Sequence, residues 1–462
     1  MDSGAGSSAD HTQHAPLPVC VRKGGKASRS LAAAVATAAG QARCSTKCAR
    51  APETGPDEAQ EPQHRPWADL PADILGVVVG RLPLVEDRAR LRSVCRAWSA
   101  AAHLHRRPPP PLPLLVLSDF SFASFCAGGT LTGARRRIPL PERETASAGS
   151  VRCVGSCEGW LVGVKLNKGR YFGDLRCFLM KAFSRDVIRL PPPSAAARPV
   201  DAYSLSLPIV NGSGVMNCAI NATQCVMSFY KVVLSDSPDS GSKCVAVGIS
   251  DVKGAVKLAF WRPGMKSWCV CNGACITEFI DIVFCHGKLY VLSSSEFTTD
   301  LFAFEISEDK NGMIVSRVER VVFELPEATG NYNEMWRIVE WRGKLLIVAS
   351  YSGDTEFGHV IVEVRVFESD FTTNPVRFTE IVSLDGDCIF ISPSSSKSFC
   401  SCDYDGVGED LIYFIDGNLC PEKFVYNMKD GMMAPLVADG PEDKFWTPDD
   451  GPKIATWLFP TE

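Results

Sequence analysis

One short pattern recurs along most of the chain: a glycine followed at once by a run of β-branched, aliphatic or aromatic residues. Clear copies begin at Gly159, Gly287 and Gly343, and Gly408 to Phe414 is a divergent copy. The second and third copies are 56 residues apart. Each copy predicts a turn glycine that leads into a buried strand.

Hairpins are predicted beside these strands. Leu258–Trp261 and Trp268–Val270 flank Pro263-Gly264, and proline followed by glycine at the centre of a turn is the type II signature. Similar hairpins are predicted around Asp430-Gly431 and after Cys177–Met180. Strands and hairpins therefore alternate with regular spacing.

Strand–hairpin units of roughly 40–55 residues are typical of β-propeller blades, each of which is a four-stranded sheet. Leu114 to Phe459 spans 346 residues. At about 50 residues per blade this length gives about seven blades, with six or eight as alternatives. A large β-sandwich is the other possible all-β fold, but the repeat spacing favours the propeller. We predict a mainly β chain in which residues 114–462 form a β-propeller.

Residues 65–105 carry helical periodicity instead and predict a small α module of two or three short helices. Pro71 suits the first helical position, where its missing N–H would be unpaired anyway. Asp73 then falls in the first turn, where a negative charge suits the helix dipole, and Pro83 ends the helix. One apolar face is predicted from Ile74, Leu75, Val78, Val79 and Leu82. A second is predicted from Leu91, Val94, Cys95 and Trp98.

Two segments beside this module have no predicted fold. Residues 1–64 are rich in Ala, Gly, Ser, Pro and Gln and nearly lack large apolar side chains, which predicts a disordered tail. Residues 106–113 read Arg-Arg-Pro-Pro-Pro-Pro-Leu-Pro. Because proline is excluded from helix interiors and central strands, this run predicts a stiff linker.

Charge and cysteine content narrow the function classes. A net charge of −5, from 48 basic and 53 acidic residues, gives no general reason to expect nucleic acid or a membrane as partner. Nineteen cysteines are scattered along a chain with no visible secretory signal. This odd number fits reduced thiols in the cytoplasm or nucleus.

Three segments of the helical module together resemble an F-box. They are Trp67 to Leu75, which contains the Leu70-Pro71 opening, then Leu82-Pro83, then Val94-Cys95-Arg96-Ala97-Trp98. The C-terminal part resembles the corresponding domain of the large plant family of KIB-type F-box proteins, which is thought to be a β-propeller. This likeness rests on Ile389 to Phe399, Asp403 to Gly406 and Leu411 to Phe414.

The resemblance implies a substrate-recognition adaptor of a Skp–cullin–F-box ubiquitin ligase. The F-box would bind the Skp adaptor, and through it a cullin, while the propeller would hold an unknown target protein. The residues that match the F-box pattern, and are therefore expected at the Skp contact, are Leu70, Pro71, Ile74, Leu75, Leu82, Val94, Cys95 and Trp98. About half of them should instead form the module's own core, with Leu70 and Pro71 as the first choices for true contact.

One departure from the pattern leaves an alternative open. Val85 to Arg90 is more charged than the leucine-rich centre of many F-boxes. This charge could weaken Skp binding. The alternative function is a non-ligase propeller scaffold that sequesters or inhibits a protein partner.

No catalytic site or cofactor is predicted, so we expect the protein not to be an enzyme. Only His286 and His359 of the seven histidines fall in the β-domain, and His286 precedes a turn glycine. No Cys-x-x-Cys pair is present, and the cysteines are expected to pack as small apolar groups rather than to bind zinc. Asp403 to Asp410 lacks the ligand spacing of a calcium loop and predicts a tight turn with aspartate caps. Arg135 to Arg137 predicts a solvated loop.

Overall fold

The structure is a computed structural model of the 462-residue chain. It describes residues 67–82, 85–104, 113–126, 130–132, 136–141, 149–167, 176–183, 186–191, 204–211, 214–223, 227–238, 243–252, 255–271, 278–294, 299–307, 315–325, 333–355, 358–403, 407–415, 423–436, 438–439 and 455–459. The predicted tail, residues 1–64, lies outside the described residues, as do Pro83 and residues 106–112 of the predicted linker.

Three short helices follow a single 3-10 turn, Trp67–Asp69. They are α1 (Ala72–Gly80), α2 (Val85–Ser93) and α3 (Arg96–Leu104). Pro71 is the residue before α1 rather than its first residue, because its carbonyl accepts the first helical hydrogen bonds, from the N–H groups of Ile74 (3.1 Å) and Leu75 (3.2 Å). The helices bury a small core of Val79, Leu82, Leu91 and Ala102, with Val78 and Trp98 packed against it.

The strands form six blades, so the predicted β-propeller is confirmed and the estimate of about seven blades is corrected to six. Blade 1 contains β1 (Leu114–Leu117), β2 (Ser121–Cys126), β3 (Thr130–Thr132), β4 (Arg136–Arg137), β29 (Ala438–Asp439) and β30 (Ala455–Leu458). Blade 2 contains β5 (Gly149–Cys157), β6 (Trp160–Asn167), β7 (Arg176–Lys181) and β8 (Val187–Leu190). Blade 3 contains β11 (Met227–Leu234), β12 (Ala246–Val252), β13 (Ala255–Trp261) and β14 (Trp268–Cys271).

The other three blades complete the ring. Blade 4 contains β15 (Glu278–Cys285), β16 (Lys288–Ser294), β17 (Thr299–Ile306) and β18 (Val315–Val321). Blade 5 contains β19 (Phe323–Glu324), β20 (Asn333–Trp341), β21 (Lys344–Thr355), β22 (Gly358–Asp370) and β23 (Val376–Ile381). Blade 6 contains β24 (Asp387–Ile391), β25 (Ser396–Cys400), β26 (Leu411–Ile415), β27 (Lys423–Asn427) and β28 (Met433–Pro435).

An inserted hairpin explains why the blade count is lower than the length suggested. It consists of β9 (Ser204–Asn211) and β10 (Gly214–Thr223), and it belongs to no blade core. Instead β10 pairs antiparallel with β14 and β9 pairs parallel with β18, so the hairpin joins the outer edges of blades 3 and 4. The inner strands β5 and β11 consequently start 78 residues apart, against 51 for β11 and β15.

The ring is closed by the two ends of the propeller. Strand β30, from the C-terminal end, pairs antiparallel with β1, with Leu114 opposite Leu458 and Leu117 opposite Ala455. Blade 1 is therefore built from both ends of the domain. Opening the ring would require this pairing to break.

The core of the propeller is divided into six apolar clusters, one in each gap between neighbouring blades. Strand β16 shows how one strand serves two clusters, because successive side chains point to opposite faces of a sheet. Leu289 and Val291 pack toward blade 3, while Tyr290 and Leu292 pack toward blade 5. Continuous apolar runs, rather than alternating ones, follow from this burial on both faces.

The recurring glycine marks the hairpin between the first two strands of a blade. Glu158-Gly159, His286-Gly287 and Arg342-Gly343 each place two residues in succession at positive φ, between 45° and 79°. Two successive positive φ values are what a two-residue type I′ hairpin requires. The predicted turns, including that at His286, are confirmed. Asp385-Gly386 also has two positive φ values (51° and 85°), but it lies in the turn that leads from blade 5 into β24 and not in a hairpin. Gly408 precedes the buried strand β26, as predicted, but its φ is not positive.

The predicted hairpins are also present, as β13–β14, β27–β28 and β7–β8. The predicted loop at Arg135 to Arg137 is wrong in part, because Arg136 and Arg137 form β4 and pair with Phe122 and Ser121 of β2. Arg135 lies outside the described residues. No helix among the described residues combines the length and the apolar character needed to span a bilayer.

Candidate functional site: the outer face of the helices

Helix α1 carries apolar side chains on two of its faces. Leu75 and Val79 point inward and are 1% and 2% exposed. Ile74 and Val77, three residues apart on another face, are 52% and 57% exposed. A helix that exposes a second apolar face beside its buried one is typical of a surface that packs against a partner. The outer face of α1 is therefore a candidate docking surface.

Further apolar side chains are exposed on the same small module. Trp67, in the 3-10 turn, is 60% exposed, and Val94, in the bend between α2 and α3, is 58% exposed. These four side chains are among ten large apolar residues exposed in the described part of the chain, although the module supplies only 36 described residues. Such a concentration of exposed apolar surface is typical of a protein-binding site.

The structure sorts the eight residues that match the F-box pattern into three groups. Leu75 and Leu82 are buried within the module. Leu70, Cys95 and Trp98 are half-buried. Pro71, Ile74 and Val94 are exposed.

Trp98 has a structural contact of its own. Its indole Nε1–H donates to the carbonyl of Trp67 (2.9 Å), which ties the 3-10 turn to α3. The Trp98 backbone N–H contacts the Sγ of Cys95 (3.5 Å) at the start of the same helix. Trp98 and Cys95 therefore help to hold the module together. Trp67 and Val77 were missed by the sequence reasoning, although the three-residue spacing of Ile74 and Val77 is a helical signal.

The charged centre of the module is partly turned inward. Arg88 is 1% exposed, and its Nε donates to the Leu82 carbonyl (2.7 Å) just beyond the C-terminal end of α1. A helix end leaves carbonyls without intrahelical partners, so a donor placed there stabilises it. Asp87 and Arg90 form an exposed ion pair at 2.7 Å. Arg88 is thus a structural residue and not a charge on the apolar outer face.

The propeller's ionisable groups are mostly tied into its framework. Asp410 accepts hydrogen bonds from the Ser383 hydroxyl (2.8 Å), the Leu384 N–H and Lys429 (3.0 Å). Burial alone would raise the pKa of Asp410, but these hydrogen bonds outweigh it and lower that pKa. The predicted turn before the strand at Leu411 is present at residues 409–410, but Asp410 caps the N–H of Leu384 in another loop and not an N–H of its own turn; residues 404–406 lie outside the described residues.

The free cysteines in the described part of the propeller pack between its blades. Burial raises the pKa of Cys153, Cys177 and Cys388 to about 12, so these thiols stay protonated near neutral pH. Cys400 and Cys402 differ from the expected reduced thiols, since they form a disulfide with their Cα atoms 5.4 Å apart. Within the described residues, no group of three or more His, Cys, Asp and Glu side chains is placed to hold a metal ion.

Comparison with known families agrees with this architecture. The model of the KIB1-4 β-propeller matches residues 124–432, and the model of the F-box domain matches residues 67–108. The chain belongs to the KIB1-4 β-propeller family. It is an F-box protein with a C-terminal KIB-type propeller.

F-box domains generally bind Skp1 adaptors within Skp–cullin–F-box complexes. An F-box followed by a KIB1-4 propeller fits a substrate-recognition adaptor of such a ligase in general terms. The exposed apolar face of α1 lies within the matched F-box, and the six-bladed ring contains the matched propeller.

Solved structures give only a loose match to this KIB1-4 protein. A GH93 α-L-arabinofuranosidase of Fusarium graminearum in complex with arabinobiose has 12% identity and a TM-score of 0.31, over 61% of this chain and 80% of that chain. A mutant of the Fusarium graminearum α-L-arabinofuranosidase with an iminosugar inhibitor has 12% identity and a TM-score of 0.29, over 62% and 79%. A search of the curated proteins gave no match.

Proposed function

We propose that this KIB1-4 family member is the substrate-recognition adaptor of a Skp–cullin–F-box ubiquitin ligase. In this role the F-box binds a Skp-type adaptor, which connects it to a cullin, and the propeller holds a target protein. The chain itself supplies no catalytic residue and no cofactor. Its place of action is the cytoplasm or nucleus.

The outer face of α1 is the observation that carries the proposal. Ile74 and Val77 are more than half exposed although the same helix already buries Leu75 and Val79. Fully burying one such aliphatic side chain contributes about 1.5–3 kcal/mol, so covering two half-exposed ones in an interface contributes about 2 kcal/mol. Helix-in-groove docking uses this kind of apolar anchor at helical spacing.

The charged stretch between α1 and α3 does not argue against Skp binding. Its central Arg88 is folded into the module and bonds to the Leu82 carbonyl. The exposed Asp87–Arg90 pair neutralises itself. The outer face of α1 therefore keeps its apolar character.

Co-purification with a Skp-type adaptor tests the proposal. We expect the full chain to bind, and the double variant Ile74→Ser with Val77→Ser to bind at least ten-fold more weakly. The matched control is Val322→Ser, which changes an exposed propeller valine and should leave binding unchanged. A second double variant, Leu70→Ala with Pro71→Ala, measures the contribution of the α1 start.

Two results would contradict the proposal. If the full chain binds no Skp-type adaptor, the non-ligase propeller scaffold becomes the better description. If the chain binds but the Ile74 and Val77 double variant binds equally well, the contact surface is not the outer face of α1. Circular dichroism of each variant checks that the fold is intact.

A further inference from the structure

The disulfide in the described part of the chain joins two cysteines that are almost adjacent. Cys400 is the last residue of β25, and Cys402 lies in the 3-10 turn Ser401–Asp403 that follows it. The other cysteines that the structure describes are free thiols. Cys400 and Cys402 are therefore chemically distinct from the other described cysteines.

So small a ring contributes little to the stability of the whole protein. A disulfide stabilises mainly by restricting the unfolded chain, and this effect grows with the number of residues in the closed loop. Here only Ser401 lies between the two cysteines. The bond therefore fixes a local turn rather than the fold of the propeller.

Other contacts hold β25 in place without the disulfide. This strand pairs antiparallel with β24 along its whole length. The Ser398 hydroxyl donates to the Glu340 carbonyl of blade 5 (2.8 Å), and the Lys397 ammonium pairs with the Glu158 carboxylate of blade 2 (3.1 Å). Opening of the disulfide should therefore leave this strand and the ring of blades intact.

The two bonded cysteines differ in their access to solvent. Cys402 is exposed, whereas Cys400 is half-buried. Ser401, between them, is buried, and its hydroxyl donates to the Gly386 carbonyl, so the turn is anchored at its centre. A small thiol can thus reach Cys402 while the protein stays folded.

Buried cysteines of the propeller lack this access. Cys153, Cys177 and Cys388 are buried, and burial raises the pKa of each thiol to about 12. Because the thiolate and not the thiol is the nucleophile, these three cysteines are almost unreactive near neutral pH. Thiol exchange on the folded protein should therefore favour the bonded pair over these buried thiols.

We propose that the Cys400–Cys402 disulfide is a reversible modification site that exchanges with low-molecular-weight thiols such as glutathione. The incoming thiolate forms an S–S bond with the Sγ of Cys402. The bond to Cys400 breaks, and its electron pair leaves on the Cys400 Sγ, which takes up a proton from water. A disulfide that is exposed to solvent is the kind that undergoes such exchange.

A second thiol molecule completes the reduction. Its thiolate attacks the sulfur of the small molecule bound to Cys402, and Cys402 leaves as a thiolate that is protonated in turn. Two small thiols are thereby oxidised to one small disulfide, while the protein disulfide is reduced to two thiols. The same steps in reverse close the bond again.

The redox state of the surroundings then decides whether this turn is cross-linked. A glutathione pool like that of the cytosol favours the reduced form, and an oxidising change restores the bond. Cys400 pairs with Asp387 of β24, whose carboxylate also accepts from Arg342 (2.7 Å) in the hairpin of blade 5. The cross-link therefore lies beside the surface where blade 6 meets this hairpin.

Site-resolved labelling of the full folded chain tests the proposal. The chain is purified without reductant, incubated with or without reduced glutathione at millimolar concentration, alkylated, digested and analysed by mass spectrometry. Without glutathione, Cys400 and Cys402 should resist alkylation. With glutathione both should be alkylated, while Cys153 and Cys177 stay unlabelled until urea unfolds the protein.

Single variants identify the sulfur that is attacked. With oxidised glutathione as the probe, Cys400→Ser should form a mixed disulfide at Cys402, whereas Cys402→Ser should form one at Cys400 at least about ten-fold more slowly. The double variant should unfold at nearly the same urea concentration as the wild type, because the loop is so short. The matched control is Cys177→Ala, which removes a buried thiol of blade 2 and should leave the opening rate unchanged.

Three results would overturn the inference. Alkylation of both cysteines without glutathione would show that they are not bonded. A bond that glutathione opens only in urea would be a closed structural disulfide. Equal rates of mixed-disulfide formation in Cys402→Ser and Cys400→Ser would show that Cys402 is not the preferred point of attack.

The wild-type chain alone decides the first two of these results, so they do not depend on the folding of any variant. The inference goes beyond the adaptor role and does not rest on it. Because the assays contain neither a Skp-type adaptor nor a target protein, either proposal can fail without the other.

Discussion

A buried ion pair links three blades of the propeller. We expect replacement of its acidic partner to lower the free energy of unfolding more than replacement of its basic partner. Lys231 on β11 pairs with Asp281 on β15, with side chains 4% and 0% exposed. Asp281 also accepts the backbone N–H of Ile282 (2.8 Å) and, from β20 of the next blade, that of Ile338 (3.0 Å). One carboxylate thus receives three donors from blades 3, 4 and 5.

The two single variants leave different groups without partners. Lys231→Met removes one donor and leaves the carboxylate with its two N–H groups, so we expect a loss of about 3 kcal/mol. Asp281→Asn leaves a buried ammonium without a counter-ion and offers one acceptor oxygen to three donors. Each orphaned buried N–H adds about 1–3 kcal/mol to the cost of the broken pair, so we expect about 5 kcal/mol.

The double variant completes the cycle. With both charges removed, no uncompensated ion stays buried, and the loss should fall below the sum of the single losses by at least about 2 kcal/mol. Such losses are large against a total stability of about 5–15 kcal/mol. The control is Lys288→Met, which breaks the half-exposed pair with Glu305 (3.3 Å). That change should cost less than about 1 kcal/mol.

Urea unfolding of the full chain, followed by tryptophan fluorescence at pH 7.5, measures these differences. The reasoning is refuted if Asp281→Asn costs no more than Lys231→Met. It is also refuted if the double variant loses the full sum of the two single variants. Either result would mean that the three donors do not depend on the Asp281 carboxylate.

Three further predictions follow from the packing. Trp98→Phe removes the hydrogen bond to the Trp67 carbonyl and should destabilise the F-box by about 1 kcal/mol. This loss should be measured as faster amide hydrogen exchange in α1 and α3, while Skp binding is retained at a saturating concentration of the adaptor. Gly163→Ala should cost about 1–3 kcal/mol in urea unfolding, since a Cβ there would meet the buried Phe178 ring at 2.3 Å; unchanged stability would mean that the ring has room to move. Burial raises the pKa of Cys153 from 9.0 to about 12, so above pH 9 the thiol ionises in the unfolded chain while it stays protonated in the folded protein. The free energy of unfolding should therefore fall by about 1.4 kcal/mol per pH unit for each such buried thiol. Cys153→Ala should give a shallower fall between pH 9 and pH 12.

Much of the fold could be read from local sequence signals. Residue pairs such as His286-Gly287 and Arg342-Gly343 adopt positive φ in two-residue hairpins. Because that requirement is local, the glycines predict the turns and the strands that follow them without knowledge of the packing. The helices from Ala72 onward were likewise predicted by apolar spacing. The F-box and the propeller were identifiable because each depends on short-range patterns that recur.

The sequence did not decide how many blades close the ring or which apolar residues of α1 face outward. In the sequence, β9 and β10 resemble two strands of a blade. Only their pairing with the outer strands β14 and β18 of two different blades shows that they lie outside a blade core. Ile74 and Leu75 are adjacent and both aliphatic, so periodicity cannot separate them; only the folded module buries Leu75 and leaves Ile74 exposed.

Contacts between residues far apart in the sequence could not be predicted either. Lys231 and Asp281 are 50 residues apart, and nothing in either sequence neighbourhood signals a shared buried site. Strand β23 pairs only with Val366 to Asp370 of β22, although β22 extends back to Gly358. Local signals determined the elements because backbone conformation depends on neighbouring residues, whereas exposure and pairing depend on which elements meet, and only the tertiary structure decides that.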